Sequence, residues 1–144
     1  MRETARVTTA ESGEQQILVV AEDISEARQL SNQLSHQASH DALTGLVNRR
    51  EFEFRLRNLI ENIDPTEQQS HALLYLDLDQ FKIINDTCGH VAGDELLRQL
   101  SSMLKNKVRK HDTLARLGGD EFGVLVENCS LEKAENLAQN ICDA

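Results

Sequence analysis

The chain has 144 residues, of which 40% are hydrophobic and 27% charged, a composition typical of one folded domain with a short extension. Its formal net charge of −9 argues against a nucleic acid polymer as partner. No apolar run approaches the roughly 20 residues that span a bilayer, and the N-terminus lacks the apolar segment of a secretory signal. We therefore expect a cytoplasmic protein, with membrane contact only through segments upstream of this chain.

The first 40 residues predict a strand followed by a helix. Residues 16–20 form a short β-branched run typical of a strand. A polar, helix-favouring stretch follows from Ile24 to His40 without Gly or Pro. Its apolar positions form a thin seam, Ile24, Ala27, Leu30 and Leu34. That spacing fits a two-heptad coiled coil and a solvated surface helix equally well.

A second unit begins at Asp41, and its first half predicts a helix, a strand and a helix. The helix spans Glu51–Ile63, and Pro65 follows its end. Residues 71–78 predict a mostly buried strand, and residues 93–108 predict an amphipathic helix. The core-facing positions of the first helix are Phe52, Leu56, Leu59, Ile60 and Ile63.

The C-terminal third predicts a β-hairpin and a last helix. Residues 113–117 and 122–127 form the two arms, and the connection Gly118-Gly119-Asp120-Glu121 supplies the glycines that a tight turn requires. Ser130 is placed to cap the last helix. The order helix, strand, helix, hairpin, helix predicts an α/β sheet that contains an antiparallel hairpin.

Carboxylates at two of these elements indicate a metal site. Asp77 and Asp79 close the predicted central strand, where residues two apart share a face. Asp120 lies in the hairpin connection. If strand and hairpin are neighbours, Asp77 and Asp120 converge, and two carboxylates with a backbone carbonyl suit Mg²⁺ and phosphoryl or nucleotidyl transfer. Taken singly, each is more often a solvated strand end or an ordinary acidic turn.

Several ordered motifs resemble the GGDEF domain family over residues 41–144. The stretch from Asp41 to Arg50, DALTGLVNRR, resembles the opening signature of that family. A middle segment comprises Asp77-Leu-Asp-Gln-Phe-Lys82, Asn85-Asp86, Gly89-His90 and Gly93-Asp94. Arg116-Leu-Gly-Gly-Asp-Glu-Phe122 carries the name motif intact. The resemblance implies a palm-like sheet with flanking helices, similar to nucleotidyl cyclases and ferredoxin-like folds.

The resemblance also implies a role for individual residues. Asp77, the Leu78 carbonyl and Asp120 would hold Mg²⁺ or Mn²⁺, and Glu121 would help with a second metal or take up a proton. Asn85 and Asp94 would read the guanine edge of GTP. The phosphates would be held by Lys82 and by the backbone at Gln80 and Phe81.

The activity that the resemblance implies is diguanylate cyclase activity, a nucleotidyl transfer. The 3′-hydroxyl of one GTP attacks the α-phosphate of another, pyrophosphate leaves, and a homodimer supplies the two nucleotides for cyclic di-GMP. Arg109 and Asp112 match the family's RxxD product-inhibition site, although an arginine at a helix end and an aspartate starting a turn have ordinary structural roles too. The family's secondary arginine is absent, since Asn140 stands near its place.

The flanks of the match suggest a domain organisation. Residues 1–22 resemble the end of a PAS-like sensor domain, residues 23–40 a signalling helix, and residues 41–144 a GGDEF domain that is incomplete at its C-terminus. We expect this fragment alone to make little or no cyclic di-GMP.

Two other functions stay open at this point. The domain could bind GTP without turnover and regulate a downstream EAL phosphodiesterase domain. Alternatively, residues 24–40 could make the chain a dimerisation and signalling module.

Overall fold

The structure is a computed structural model that describes residues 2–9, 15–22, 25–67 and 69–143, the first two ranges by their backbone alone. It forms two units, Met1–His36 and Gln37–Ala144. The strands are β1 (Arg2–Thr9), β2 (Gln15–Glu22), β3 (Val47–Asn48), β4 (Ala72–Asp77), β5 (Thr113–Gly118) and β6 (Glu121–Val126). The helices are α1 (Ser25–Ser39), α2 (Arg49–Glu61), α3 (Phe81–Cys88), α4 (His90–Lys107) and α5 (Leu131–Cys142). No helix within the described ranges is long and apolar enough to cross a membrane.

The first unit contains an antiparallel strand pair and most of α1. β1 pairs with β2 from Arg2↔Glu22 to Thr9↔Gln15. β2 contains the predicted strand 16–20, whereas β1 was not predicted. The predicted start of the helix at Ile24 lies outside the described residues. α1 has no buried residue along its described length, and Leu30 and Leu34 are exposed.

The second unit is built on a four-stranded mixed sheet in the order β3-β5-β6-β4. β5 and β6 form the predicted antiparallel hairpin, β4 pairs antiparallel with β6, and β3 adds a short parallel edge beside β5. β6 is the only strand of this sheet with five consecutive buried residues among the described ones. The predicted α/β class with a hairpin is therefore confirmed.

Helices cover both faces of the sheet, and each covered face has its own apolar cluster. The larger cluster joins inward residues of β4, β5 and β6 to α3, α4 and α5, with Leu97, Leu104 and Phe122 at its centre. The smaller cluster joins Phe52 of α2 to the opposite face of β5 and β6. Burial of such apolar area is the main force that holds the layers together.

Three predicted helices are present with shifted ends. α2 begins at Arg49, because the Asn48 side chain accepts a hydrogen bond from the Glu51 N–H (3.0 Å) and caps the helix. It ends at Glu61, so the predicted core position Ile63 lies beyond it and is exposed, as is Ile60. α4 spans His90–Lys107 instead of 93–108. Ser130 caps α5 as predicted, accepting from the Lys133 N–H at 3.4 Å.

The predicted burial of the central strand is wrong on one face. β4 alternates half-buried and exposed residues, and Leu73 and Tyr75 are 52% and 59% exposed. The reason is position: β4 lies at the edge of the sheet, and α2 contacts β3 and β5 instead. The sequence analysis also missed α3, which follows directly after this strand.

Candidate functional site

The strand register brings the two predicted acidic segments together. Asp77, the last residue of β4, is the cross-strand partner of Glu121, the first residue of β6. The Leu78 N–H then donates to the Asp120 carbonyl at 3.3 Å, which extends the pairing one residue beyond the strand. Directly paired residues share a face, so Asp77 and Glu121 lie on the same side of the sheet. The end of β4 and the tip of the hairpin thus form one acidic corner.

The hairpin tip is tighter than predicted. The strands extend to Gly118 and resume at Glu121, so Glu121 belongs to a strand and only Gly119-Asp120 form the turn. Gly119 has φ +41, in the left-handed region that favours glycine. The Arg116 guanidinium donates to the Gly119 carbonyl from both Nε (3.0 Å) and a terminal nitrogen (2.8 Å). These bonds fix the turn that carries Asp120.

The same arginine ties the hairpin tip to the opening motif of the unit. Arg116 forms an ion pair with the Asp41 carboxylate at 3.2 Å. Asp41 also accepts from the Thr44 N–H (2.9 Å) and hydroxyl (2.7 Å). Burial acts to raise the pKa of Asp41, but the hydrogen bonds from Thr44 and the charge of Arg116 outweigh it and lower that pKa below the ordinary 3.8.

Between β4 and α3 the chain turns sharply. β4 ends at Asp77, so the strand alternation that placed Asp77 and Asp79 on one face does not extend to Asp79, although both line the same hollow of about 360 Å³. Gln80 has φ +64, and Phe81 is buried in the larger cluster. The Phe81 N–H donates to the Leu78 carbonyl at 3.4 Å. Lys82 is exposed beside this turn.

The two predicted guanine-reading residues lie on packed neighbouring helices. Asn85 is on α3 and Asp94 on α4, and both are half-buried. The Asn85 side chain packs so closely on buried Gly93 that a Cβ there would collide with it. Glycine at position 93 therefore allows the Asn85 side chain to pack against α4 beside Asp94.

Two residues that the sequence analysis did not single out surround Glu121. The Tyr75 phenol lies near the Glu121 carboxylate, which raises the pKa of the phenol, and the charge of Asp77 adds to that shift. Arg49 donates a hydrogen bond to the Glu53 carboxylate at 2.9 Å, which raises the pKa of Arg49, and the charge of Glu121 adds to that shift. The alternation of β4 could have identified Tyr75, which lies two residues before Asp77 on the same face.

The donor set at this corner suits a hard cation. It consists of the carboxylates of Asp77, Asp120 and Glu121 and the Leu78 carbonyl, all oxygen ligands of the kind that Mg²⁺ and Mn²⁺ prefer. Within the described ranges, no three His, Cys, Asp or Glu side chains lie close enough to hold a metal by themselves. Mg²⁺ commonly keeps waters and substrate oxygens among its ligands, so the residues fit an ion that arrives with a nucleotide.

The predicted product-inhibition residues differ in availability. Arg109 is exposed just after α4 and lines two neighbouring hollows. The Asp112 side chain is only 1% exposed and accepts from the Glu127 N–H at 3.2 Å, which anchors the turn to the end of β6. Asn140 lines one hollow with Arg109 and Asp112.

Comparison with known proteins gives the family. Residues 38–144 match the model "Diguanylate cyclase, GGDEF domain". The chain is 46% identical over 127 residues to "Probable diguanylate cyclase DgcE" of Escherichia coli K12. It is 38% identical over 125 residues to "Cyclic di-GMP phosphodiesterase PdeB" of Shewanella oneidensis. These alignments cover 88% and 86% of this chain but only 11% and 14% of the relatives.

A solved structure has a similar fold. The coiled coil and GGDEF domain of DgcB from Caulobacter crescentus, in complex with c-di-GMP, superposes with a TM-score of 0.77 at 27% identity. That match covers 82% of this chain and 61% of DgcB's chain. The fold, the ordered motifs and these similarities together show that the chain belongs to the GGDEF domain family of diguanylate cyclases.

Proposed function

We propose that this chain carries the GTP site of a diguanylate cyclase, which condenses two GTP molecules into cyclic di-GMP and pyrophosphate. The observation that supports this most is the pairing of Asp77 with Glu121 and of Leu78 with Asp120 at one corner of the sheet. The pairing brings two acidic segments to one corner, and carboxylate and carbonyl oxygens are the ligands that a nucleotide-bound divalent ion prefers.

The proposed roles follow from where the residues lie. Asp77, Asp120 and the Leu78 carbonyl hold Mg²⁺ or Mn²⁺, which neutralises phosphate charge when bound. Glu121 assists at the reacting groups by accepting the proton of the attacking hydroxyl or by contacting a second ion. Lys82 and the backbone at Gln80 and Phe81 hold the phosphates.

Selection of guanine is assigned to the α3–α4 pair. The Asn85 amide offers an NH₂ donor group and an acceptor oxygen, and the Asp94 carboxylate offers acceptors. A carboxylate accepts from the N1 and N2 hydrogens of guanine, which adenine does not present in that arrangement. The partly buried setting of both residues strengthens these bonds relative to water.

The reaction requires two copies of the site. The 3′-hydroxyl of one GTP attacks the α-phosphate of the other, and pyrophosphate leaves. Each domain supplies one nucleotide, so the active form is a homodimer. The protein contributes mainly position and charge stabilisation.

The test is a cyclase assay with α-labelled GTP on the full-length protein. Asp120→Ala is expected to abolish labelled cyclic di-GMP, because the hairpin carboxylate is lost from the metal set. Asp64→Ala is the matched control, since the Asp64 carboxylate is exposed and accepts hydrogen bonds from Thr66 in its own loop. Unchanged synthesis by Asp120→Ala would contradict the proposal. The isolated 144 residues are expected to make little or no product.

A second candidate is a GTP-binding regulatory domain without turnover, attached to an EAL phosphodiesterase domain. The similarity to a relative named cyclic di-GMP phosphodiesterase supports it. The full-length protein would then hydrolyse cyclic di-GMP, bind GTP and synthesise nothing. Assays of synthesis and hydrolysis on one preparation distinguish the two functions.

In a third candidate function, α1 is a dimerisation and signalling element. The exposed residues Leu30 and Leu34 on an otherwise polar helix support it. Sedimentation of residues 1–144 against 41–144 tests this candidate. Dimers of the longer chain alone would support it, and monomers of both at high concentration would contradict it.

Regulation and cellular context extend the proposal. Exposed Arg109, with Asp112 shaping its turn, is proposed to bind the phosphates of cyclic di-GMP as an inhibitor. We also propose that the domain is cytoplasmic, and that residues 1–22 end a PAS-like sensor whose signal residues 23–40 transmit to residues 41–144. Arg109→Ala should relieve inhibition by added cyclic di-GMP if the first assignment is right.

A further inference from the structure

Tyr75 occupies a position from which its side chain reaches the acidic corner. Its cross-strand partner is Gly123, which has no side chain, and the next pair along the ladder is Asp77↔Glu121. Glu121 is therefore the diagonal neighbour of Tyr75 on the same face, a separation that long side chains bridge. Tyr75 is 59% exposed on this face of β4, whereas α5 contacts the strand and the other face is half-buried.

The charge on the Glu121 carboxylate would be stabilised by a hydrogen-bond donor on this face of the sheet. Asp77 and Glu121 are directly opposed like charges, an arrangement that destabilises a strand pair. The Tyr75 hydroxyl is the side-chain donor that the register places diagonally across from Glu121, and the Arg49 guanidinium, paired with Glu53 at 2.9 Å, adds a favourable charge nearby. A hydrogen bond to an ionised acceptor is among the stronger ones in proteins.

We propose that Tyr75 is a positioning residue for Glu121, whose carboxylate it holds over the end of the sheet by a hydrogen bond from its hydroxyl. The proposal rests on the proposed function, in which Glu121 acts at the reacting groups. A glutamate has three rotatable side-chain torsions, so without a donor on this face its carboxylate would move away from Asp77. Tyr75 therefore limits Glu121 to the geometry that the reaction uses.

The chain offers a direct probe of this contact. It contains one tyrosine and no tryptophan, so its intrinsic emission reports on Tyr75 alone. A carboxylate that accepts the hydrogen bond of a phenol quenches its emission, because the excited phenol releases its proton more readily. The measurement needs neither GTP nor a metal, so its outcome does not depend on whether the protein is a cyclase.

The first experiment measures the tyrosine emission of the 144-residue chain and compares the wild type with Glu121→Gln and Asp64→Asn. Glu121→Gln is expected to increase the emission, because a neutral amide accepts no proton. Asp64→Asn is the matched control, since it removes an exposed carboxylate and leaves Glu121 and the Arg49–Glu53 pair unchanged, and its emission should equal that of wild type. Equal emission from wild type and Glu121→Gln would overturn the proposal.

The second experiment separates positioning from stability in the full-length protein. Tyr75→Phe keeps the ring and removes the hydroxyl, and it is expected to lower kcat by about 3- to 10-fold while KM for GTP stays within about 2-fold. Leu73→Ala, two residues earlier on the same exposed face, should change neither constant. An unchanged kcat in Tyr75→Phe, or an equal fall in Leu73→Ala, would overturn the positioning role.

Discussion

β4 and β6 are neighbouring strands of similar apolar sequence, yet they have different surroundings. β6 is buried at five consecutive positions, because helices cover both faces of the sheet where it runs. β4 lies at the edge and is covered on one face only, which leaves Leu73, Tyr75 and Asp77 exposed. The difference indicates that β6 carries the stability of the unit, whereas the open face of β4 leaves room for chemistry beside Asp77 and Glu121.

The largest effect on stability is expected at Leu125. Leu73, its direct cross-strand partner, provides the comparison. The two leucines are 2% and 52% exposed, so the same substitution tests the two strands on one face. Leu125→Ala should lower the free energy of unfolding by about 2–5 kcal/mol, because it leaves a cavity in the smaller cluster. Leu73→Ala should cost less than about 1 kcal/mol. Urea denaturation measures both, and similar losses would contradict the contrast between β6 and β4.

A smaller effect is expected at the link between Asp41 and the hairpin. Asp41→Asn should lower the free energy of unfolding by roughly 1–2 kcal/mol at neutral pH, because the ion pair with Arg116 and the charge-assisted bonds from Thr44 are weakened. The lowered pKa of Asp41 stabilises the fold above its ordinary value of 3.8. That contribution is lost as the pH falls from about 3.8 through the lower folded-state pKa, so the variant's stability should depend less on pH there.

Asp64 is the control for the pH dependence of stability that is expected from Asp41. Its pKa is also lowered by Thr66, but it is exposed and its partners lie two residues away, so the bonds need no folded sheet. Asp64→Asn should leave the acid limb of the stability profile close to wild type. If both variants flatten the profile equally, Asp41 and Arg116 do not couple the opening motif to the hairpin.

Gly93→Ala should change stability little and ligand binding more. Alanine gains about 1 kcal/mol in helix propensity, which offsets much of the strain of meeting Asn85 and Phe81. The Asn85 amide must move, however, so the affinity for GTP should fall by roughly 10-fold. Urea denaturation and GTP titration measure the two quantities. In an Asn85→Ala background, Gly93→Ala should no longer weaken GTP binding, and a further loss there would contradict this reading.

The smallest effect is expected in α1, the element that contrasts most with β6. Leu34→Ala should change the free energy of unfolding of monomeric chain by less than about 0.5 kcal/mol, because Leu34 is 58% exposed. A larger loss in dilute solution, measured by urea denaturation, would show that α1 is held by contacts of its own.

The sequence predicted the elements that have an extended helical spacing of apolar residues or a strong turn signal. The hairpin, α2, α4 and α5 follow from apolar spacing, glycines and caps. α3 was missed because its eight residues contain Asn, Asp, Thr and Cys and show no extended stripe. β3 was missed because two residues carry no pattern.

The candidate site was also predicted only in part. The acidic residues could be selected from sequence, but their pairing depends on the β4–β6 register, which no local pattern specifies. The positions of Tyr75 and Arg49 near Glu121 depend on tertiary placement. Tyr75 lies directly opposite Gly123 and diagonal to Glu121, and Arg49 lies at the start of a separate helix. The exposure of β4 was wrongly predicted, because an edge position is a property of the whole sheet.

The most direct test of the account is calorimetric titration of GTP with Mg²⁺ into the full-length protein. The wild type is compared with Asp120→Ala and with the control Asp64→Ala. If Asp77, Asp120 and the Leu78 carbonyl form one ion site beside the nucleotide, Asp120→Ala loses the Mg²⁺-dependent part of binding and the control keeps it. Mg²⁺-dependent binding that survives unchanged in Asp120→Ala would contradict the account.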